Sequence, residues 1–235
     1  MRELKSHVRF SEADRFGKIK LESIINYFQD CAMVHSESLG RGISAMDSAA
    51  GYWFLYFWQI DILRAPVLFE NITVVTNPYD FKGFFGYRNF QILAENGDVL
   101  VQANSIWVYL ETASGLPGRI PKEEKEAYYT GIPALNMEYT DRKIIIPEKL
   151  VEYPAVPVYN NQLDVNQHMN NCEYVKTFLR VTSLEKLPSR LRVEYKVSAK
   201  EGTVFHPFVY LDDKKCVTDL RDQDGTAYAA VEYTF

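Results

Sequence analysis

Asp164, Asn166 and His168 stand at alternate positions in the segment 162–171, immediately ahead of an apolar pattern with helical spacing. In an extended or turning backbone, alternate side chains point the same way, so a carboxylate, an amide and an imidazole would share one face. The adjacent Asn170 and Asn171 suit a helix N-cap. The three groups are therefore expected beside backbone N–H donors and the positive end of a helix dipole, where an oxyanion can be stabilised. A plain capped turn uses the same residue types, and the local pattern alone does not choose between the two.

The elements that must position these residues come in two sets. In the first half, Leu21, Ile24, Ile25, Phe28, Ala32 and His35 recur at spacings of three and four, which predicts a helix with one buried face ending near Gly40. Strands are expected at 52–63, 72–76 and 87–93, the last joined to 99–109 through the hairpin signal Glu95-Asn96-Gly97-Asp98. The second half predicts a helix over 171–187 stopped by Pro188, strands at 190–198, 203–211 and 215–221, and a final hairpin at Asp224-Gly225. The halves repeat weakly. An offset of 150 places Val8 to Asp14 over Val158 to Asp164, and an offset of 128 places Asn96-Gly97 over Asp224-Gly225. Residues 121–154 carry Pro121, Gly131, Pro133, Pro147 and Pro154 and cannot form one regular element, so they read as a linker between domains at 1–120 and 155–235. One long helix on an antiparallel sheet, twice over, is an α+β architecture in which the two sheets join edge to edge around two helices.

Composition narrows the function classes. The chain is 47% hydrophobic and 14% aromatic, enough for a substantial core. Its 26 basic and 31 acidic residues leave a net charge of −5, which argues against wholesale nucleic-acid binding. Cys31, Cys172 and Cys216 lack metal-ligand or disulfide-framework spacing, so a reducing compartment and no metal are expected. No apolar run is long enough to span a bilayer, and the expectation is a cytoplasmic protein without secretion or membrane insertion.

Blocks spread along the chain carry a family resemblance. VRFSEADRFGKIKLESIINYFQDCA at 8–32, NPYDFKGFFGYRNFQIL at 77–93, ANSIWVYLE at 103–111, LDVNQHMNNCEYV at 163–175 and RVEYKVSAKEGT at 192–203 together resemble the acyl-[acyl-carrier-protein] thioesterases, tandem hotdog-fold enzymes. The resemblance implies a double hotdog and hydrolysis of fatty acyl thioesters on acyl carrier protein, with water as co-substrate and no cofactor. It puts the family's Asp-x-Asn-x-His on Asp164, Asn166 and His168: Asp164 to activate or orient water, Asn166 to hold the carbonyl or the water, His168 to orient water or protonate the leaving thiolate. Asn171, Trp53 and Tyr56 are the expected substrate contacts.

This sequence departs from the family in two places. Ser198 and Ala199 stand where relatives carry a Glu and then a Cys or Ala, and Ser198 cannot act as a base without a partner. In the first half Asp14 matches Asp164, but Phe16 replaces Asn166 and Lys18 replaces His168, so that half reads as a degenerate copy supplying sheet and acyl pocket. An acidic carrier protein bearing a phosphopantetheine-linked acyl chain would need a basic docking surface. Residues 176–200 hold Lys176, Arg180, Lys186, Arg190, Arg192, Lys196 and Lys200 against Glu185 and Glu194. The alternatives are an acyl-CoA thioesterase of the same fold, a non-catalytic acyl-binding protein and a dehydratase, as a monomer or a homodimer.

Overall fold

A computed structural model gives the fold of the chain, and the described residues are 1–46 and 49–235. The β-branched and aromatic runs form strands β1 (Arg2–His7), β2 (Gly51–Ile62), β3 (Asn71–Lys82), β4 (Phe85–Ala94) and β5 (Val99–Glu111) in the first half. After two short pieces, β6 (Val151–Glu152) and β7 (Val156–Pro157), come β8 (Arg190–Tyr195), β9 (Val204–Leu211), β10 (Lys215–Arg221) and β11 (Ala227–Thr234). All belong to one antiparallel sheet ordered β1-β3-β4-β5-β2-β8-β11-β10-β9-β6, with β7 also on β9. The halves meet where β2 pairs with β8, Trp58 opposite Val193 and Ile60 opposite Leu191. Both hairpin signals turn as expected, with Gly97 at φ 90° and Gly225 at φ 83°, values that favour glycine.

Helices α1 (Leu21–Ser38) and α3 (Asn171–Thr182) pack against each other on one face of the sheet. Their apolar stripes, Ile24, Ile25, Phe28 and Cys31 on α1 and Tyr174, Val175 and Phe178 on α3, close a single continuous core over Trp58, Val193 and Val231. The result is a mixed fold with a large antiparallel sheet and few helices. No helix among the described residues is long and apolar enough to cross a membrane.

The segment expected to be a linker is a strap. It begins with a short helix, α2 (Lys122–Tyr128), then crosses the sheet face opposite α1 and α3 without regular structure as far as β6. Buried side chains of that face satisfy its backbone. The Gln59 amide donates to Glu138 O at 2.7 Å and accepts from Thr140 N at 2.9 Å. Asn77 donates to Ile132 O, Asn89 accepts from Leu135 N, and Glu194 accepts from Ile144 N. A strap with no hydrophobic period of its own is thereby ordered by the polar residues beneath it.

Other departures have local causes. Helix α3 stops at Thr182 rather than 187, because Ser183 takes a left-handed conformation (φ 55°) and donates its N–H to Leu179 O. Strand β3 runs to Lys82, past the β-branched burst at 72–76. Strand β8 ends at Tyr195, and residues 196–198 leave the ladder to approach the second-half turn.

Candidate active site

The turn ahead of α3 is built by Asp164. Its Oδ1 accepts from the backbone N–H of Asn166 at 2.8 Å and of His168 at 3.2 Å, while its own N–H donates to His168 O at 2.7 Å. A bridge between Leu163 and Met169 closes the loop, and Gln167 reverses the chain with φ 60°. Asn170 is the N-cap of α3, its side chain accepting from Cys172 N at 3.1 Å. Met169 N donates to Ala199 O at 2.8 Å, which draws Ser198 alongside.

The first half repeats this turn atom for atom. Asp14 Oδ1 accepts from Phe16 N at 2.8 Å and Lys18 N at 2.9 Å, Asp14 N donates to Lys18 O at 2.7 Å, and Gly17 (φ 71°) takes the place of Gln167. The bridge here joins Ala13 to Ile19. The carboxylate thus has the same structural task in both halves.

Asp164, Asn166, His168, Asn171 and Ser198 line one cleft of about 340 Å³. The opposite wall belongs largely to the first half: Met33 from α1, Trp53, Phe54 and Leu55 from β2, and Trp107 from β5. Polar groups gathered at one side of an apolar cleft suit a ligand with a reactive head and a hydrocarbon tail. Among the described residues, no hydrogen bond joins the side chains of Asp164, Asn166 and His168 to one another, so each is available to what enters. The degenerate counterpart, Asp14, Phe16 and Lys18, lines a separate cleft with Leu63, Arg64 and Lys186.

Trp53 is where a substrate contact was expected, with its indole N–H donating to Glu124 Oε1 at 2.8 Å. Tyr56 is not. Alternation along β2 turns it to the strap side of the sheet, where its hydroxyl donates to Glu194 Oε1 at 3.0 Å, and a bulge between Leu55 and Phe57 sends Phe57 to the same side. Glu194 therefore faces away from the cleft and cannot replace the missing carboxylate at Ser198. The row of basic residues also divides. Arg190 pairs with Asp61 at 2.5 Å and with Glu138, and Arg192 pairs with Glu232 at 2.6 Å and donates to the strap carbonyls of Asp141 and Lys143. Their charges are spent on acids of the sheet and on the strap instead of a shared docking patch.

Sequence reasoning missed Gln29, a polar residue between Phe28 and Ala32 on the α1 stripe. It lines the cleft, and its Oε1 is buried without a hydrogen-bond partner. Burial pushes the Tyr174 phenol up to about 12 and the Tyr195 phenol well above its ordinary value, so both stay protonated in the cleft wall. Burial likewise pushes the Cys172 thiol up to about 12, which keeps it from serving as a nucleophile.

Comparison with known proteins places this geometry. Two solved structures share the fold across nearly the full length: an acyl-ACP thioesterase from Bacteroides thetaiotaomicron (TM-score 0.87, 18% identity, 99% of this chain and 96% of that one) and the 12:0-ACP thioesterase from Umbellularia californica (TM-score 0.86, 17% identity, 99% and 95%). In sequence, the chloroplastic palmitoyl-acyl carrier protein thioesterase of Cuphea hookeriana is 28% identical over 223 residues, covering 85% of this chain and 52% of the relative. The corresponding protein of Arabidopsis thaliana is 25% identical over 243 residues, covering 91% and 58%. The chain spans about half the length of the curated relatives it matches. Residues 3–128 match the family model described as the acyl-ACP thioesterase N-terminal domain, more than half of the sequence, and the chain belongs to the acyl-ACP thioesterase family.

Proposed function

We propose that the chain hydrolyses fatty acyl thioesters carried on acyl carrier protein, releasing free fatty acid and the carrier thiol. The reading takes the fold as a double hotdog, with units at 1–120 and 155–235 and the strap at 121–154 holding them to one sheet. It rests above all on the cleft that gathers Asp164, Asn166, His168 and Ser198 against an apolar wall from the other half. The names of the relatives support the same substrate class.

In this mechanism water adds to the thioester carbonyl, and the C–S bond breaks as the tetrahedral oxyanion collapses. Two of the roughly four acceptor positions of the Asp164 carboxylate are held by the turn, and the remainder orient and activate the water. The Asn166 amide donates to the carbonyl oxygen as negative charge builds on it. His168 gives a proton to the departing sulfur, a modest contribution because a thiolate leaves readily. Ser198 supplies a hydroxyl that hydrogen-bonds the water, and Asn171 and Trp53 contact the acyl head and the first carbons of its chain. The tail lies against first-half residues.

The test is thiol release from palmitoyl-carrier protein and palmitoyl-coenzyme A at matched concentrations, with Asp164→Asn as the blank. Release from the carrier-protein substrate that the substitution abolishes is expected. Release from the coenzyme A thioester alone would assign the acyl-CoA reaction, and tight acyl binding without release from either would assign a binding protein.

A further inference from the structure

Arg88 is a buried cation that no acid answers. It sits on β4 inside the first-half sheet with 7% of its surface exposed. Its contacts are with neutral groups: Nη1 donates to Thr76 Oγ1 at a long 3.4 Å, and the guanidinium lies 5.4 Å over the Tyr128 ring. No described carboxylate forms an ion pair with it. Such a group is normally paired when withdrawn from water, because desolvating a charge costs far more than desolvating a neutral donor.

Arg88 borders a small space of about 30 Å³ next to the active-site cleft. Met33, Trp53 and Trp107 line both the cleft and this space, so it lies directly behind the apolar wall that faces Asp164 and His168. Close packing fixes that wall in part. A Cβ at Gly86 would stand 2.9 Å from the Trp53 ring, so a glycine is needed for the indole to lie flat on β4. Met33 is the flexible member, and its unbranched side chain can shift to open a way through. The remaining polar groups at the far end are already satisfied, the Tyr128 hydroxyl donating to Ser36 Oγ at 2.8 Å and Ser36 Oγ to Ala32 O at 3.0 Å. Arg88 alone is left with donors to spare, and the space has room for about two waters to take them.

We propose that Arg88 is the polar end-stop of the acyl pocket and sets the longest saturated chain the enzyme accepts. A chain entering from the cleft runs past Met33, Trp53 and Trp107 on apolar surface and gains with every methylene buried. A terminal methyl that reaches Arg88 displaces the water from the guanidinium and offers no acceptor in return, so the gain reverses at that length. The inference rests on the acyl-thioesterase reading given above.

Two measurements test it. The first is kcat/KM for saturated acyl-carrier-protein substrates of increasing length with wild type, Arg88→Met and Arg88→Lys. In Arg88→Met, similar in length but uncharged, the long-to-short preference is expected to rise by about tenfold or more, corresponding to about 1.4 kcal/mol. Arg88→Lys, which keeps the charge, is expected to retain the wild-type cut-off. An unchanged length profile in a folded Arg88→Met would overturn the proposal while leaving the hydrolase reading intact. The second uses wild type alone and needs neither turnover nor a stable variant: calorimetric binding of free fatty acids beside their ω-hydroxy counterparts. At lengths that reach Arg88 the terminal hydroxyl should strengthen binding about tenfold, and at shorter lengths it should weaken it or have no effect. Equal affinities at every length would overturn the proposal, whatever the hydrolysis assay shows.

Discussion

The two Asp turns give the protein an internal control for its own chemistry. Asp14 and Asp164 accept equivalent pairs of backbone N–H bonds, yet only Asp164 lies in a cleft with an amide, an imidazole and the Ser198 hydroxyl. Converting either to Asn keeps Oδ1 as an acceptor but makes both bonds neutral. Hydrogen bonds to charged groups contribute about 1.5–3 kcal/mol and neutral ones about 0.5–1.5, so each substitution should cost about 2 kcal/mol of stability, less where water screens the half-buried carboxylate. The stability losses should therefore match. The rates should not: Asp164→Asn is expected to slow hydrolysis by about 10²–10⁴, while Asp14→Asn leaves it within about twofold. Denaturant titration and single-turnover hydrolysis on the same preparations read both quantities. Equal loss of rate in the two variants would show that Asp164 acts through folding of its turn, and a normal rate in Asp164→Asn would remove it from the chemistry.

Gln29→Leu replaces an unpartnered buried acceptor with a side chain of similar volume; thermal melting should show stability unchanged or raised, while kcat falls about tenfold if the amide holds water or substrate in the cleft. Burial, with the nearby charge of Arg88 adding to it, pulls His35 down to about 4, so His35 is neutral in the folded protein at a pH where an unfolded chain has begun to protonate. Its contribution is whole above about pH 6.5, is lost as pH falls toward 4, and amounts to about 3 kcal/mol; His35→Gln should flatten that part of the acid limb in denaturant titrations at stepped pH. Gln59→Leu leaves Thr140 N–H and Glu138 C=O without their partner under the strap, for a loss of about 2–4 kcal/mol and faster proteolytic nicking within 129–146.

What the sequence made legible is local. Helix α1, both glycine hairpins and the paired Asp turns each carry their signal within a few residues, and the turns even repeat at a fixed offset. Alternation along β2 already separates Trp53 from Tyr56, but the bulge between Leu55 and Phe57, which puts Phe57 on the strap side with Tyr56 and returns Trp58 to the core, has no such signature. The strap itself is ordered by Gln59, Asn77, Asn89 and Glu194, residues far from it in sequence whose partners only the fold supplies. For the same reason Arg190 and Arg192, counted with a basic cluster, turn out to be committed to Asp61, Glu138 and Glu232. Gln29 was visible as a polar interruption of an apolar stripe, but nothing nearby said that the facing surface would be a cleft.

Both Asp turns, and the two half-sheets that meet where β2 pairs with β8, belong to one continuous polypeptide. In an assembly of two identical subunits a single codon specifies both copies of a turn, and any substitution strikes both sites together. Here the two turns are separate heritable units. Phe16 and Lys18 can stand where Asn166 and His168 stand in the other copy without touching the second cleft, and the two turns are free to diverge. Selection on one turn and selection on the other can proceed at different positions, and at different speeds, within one gene.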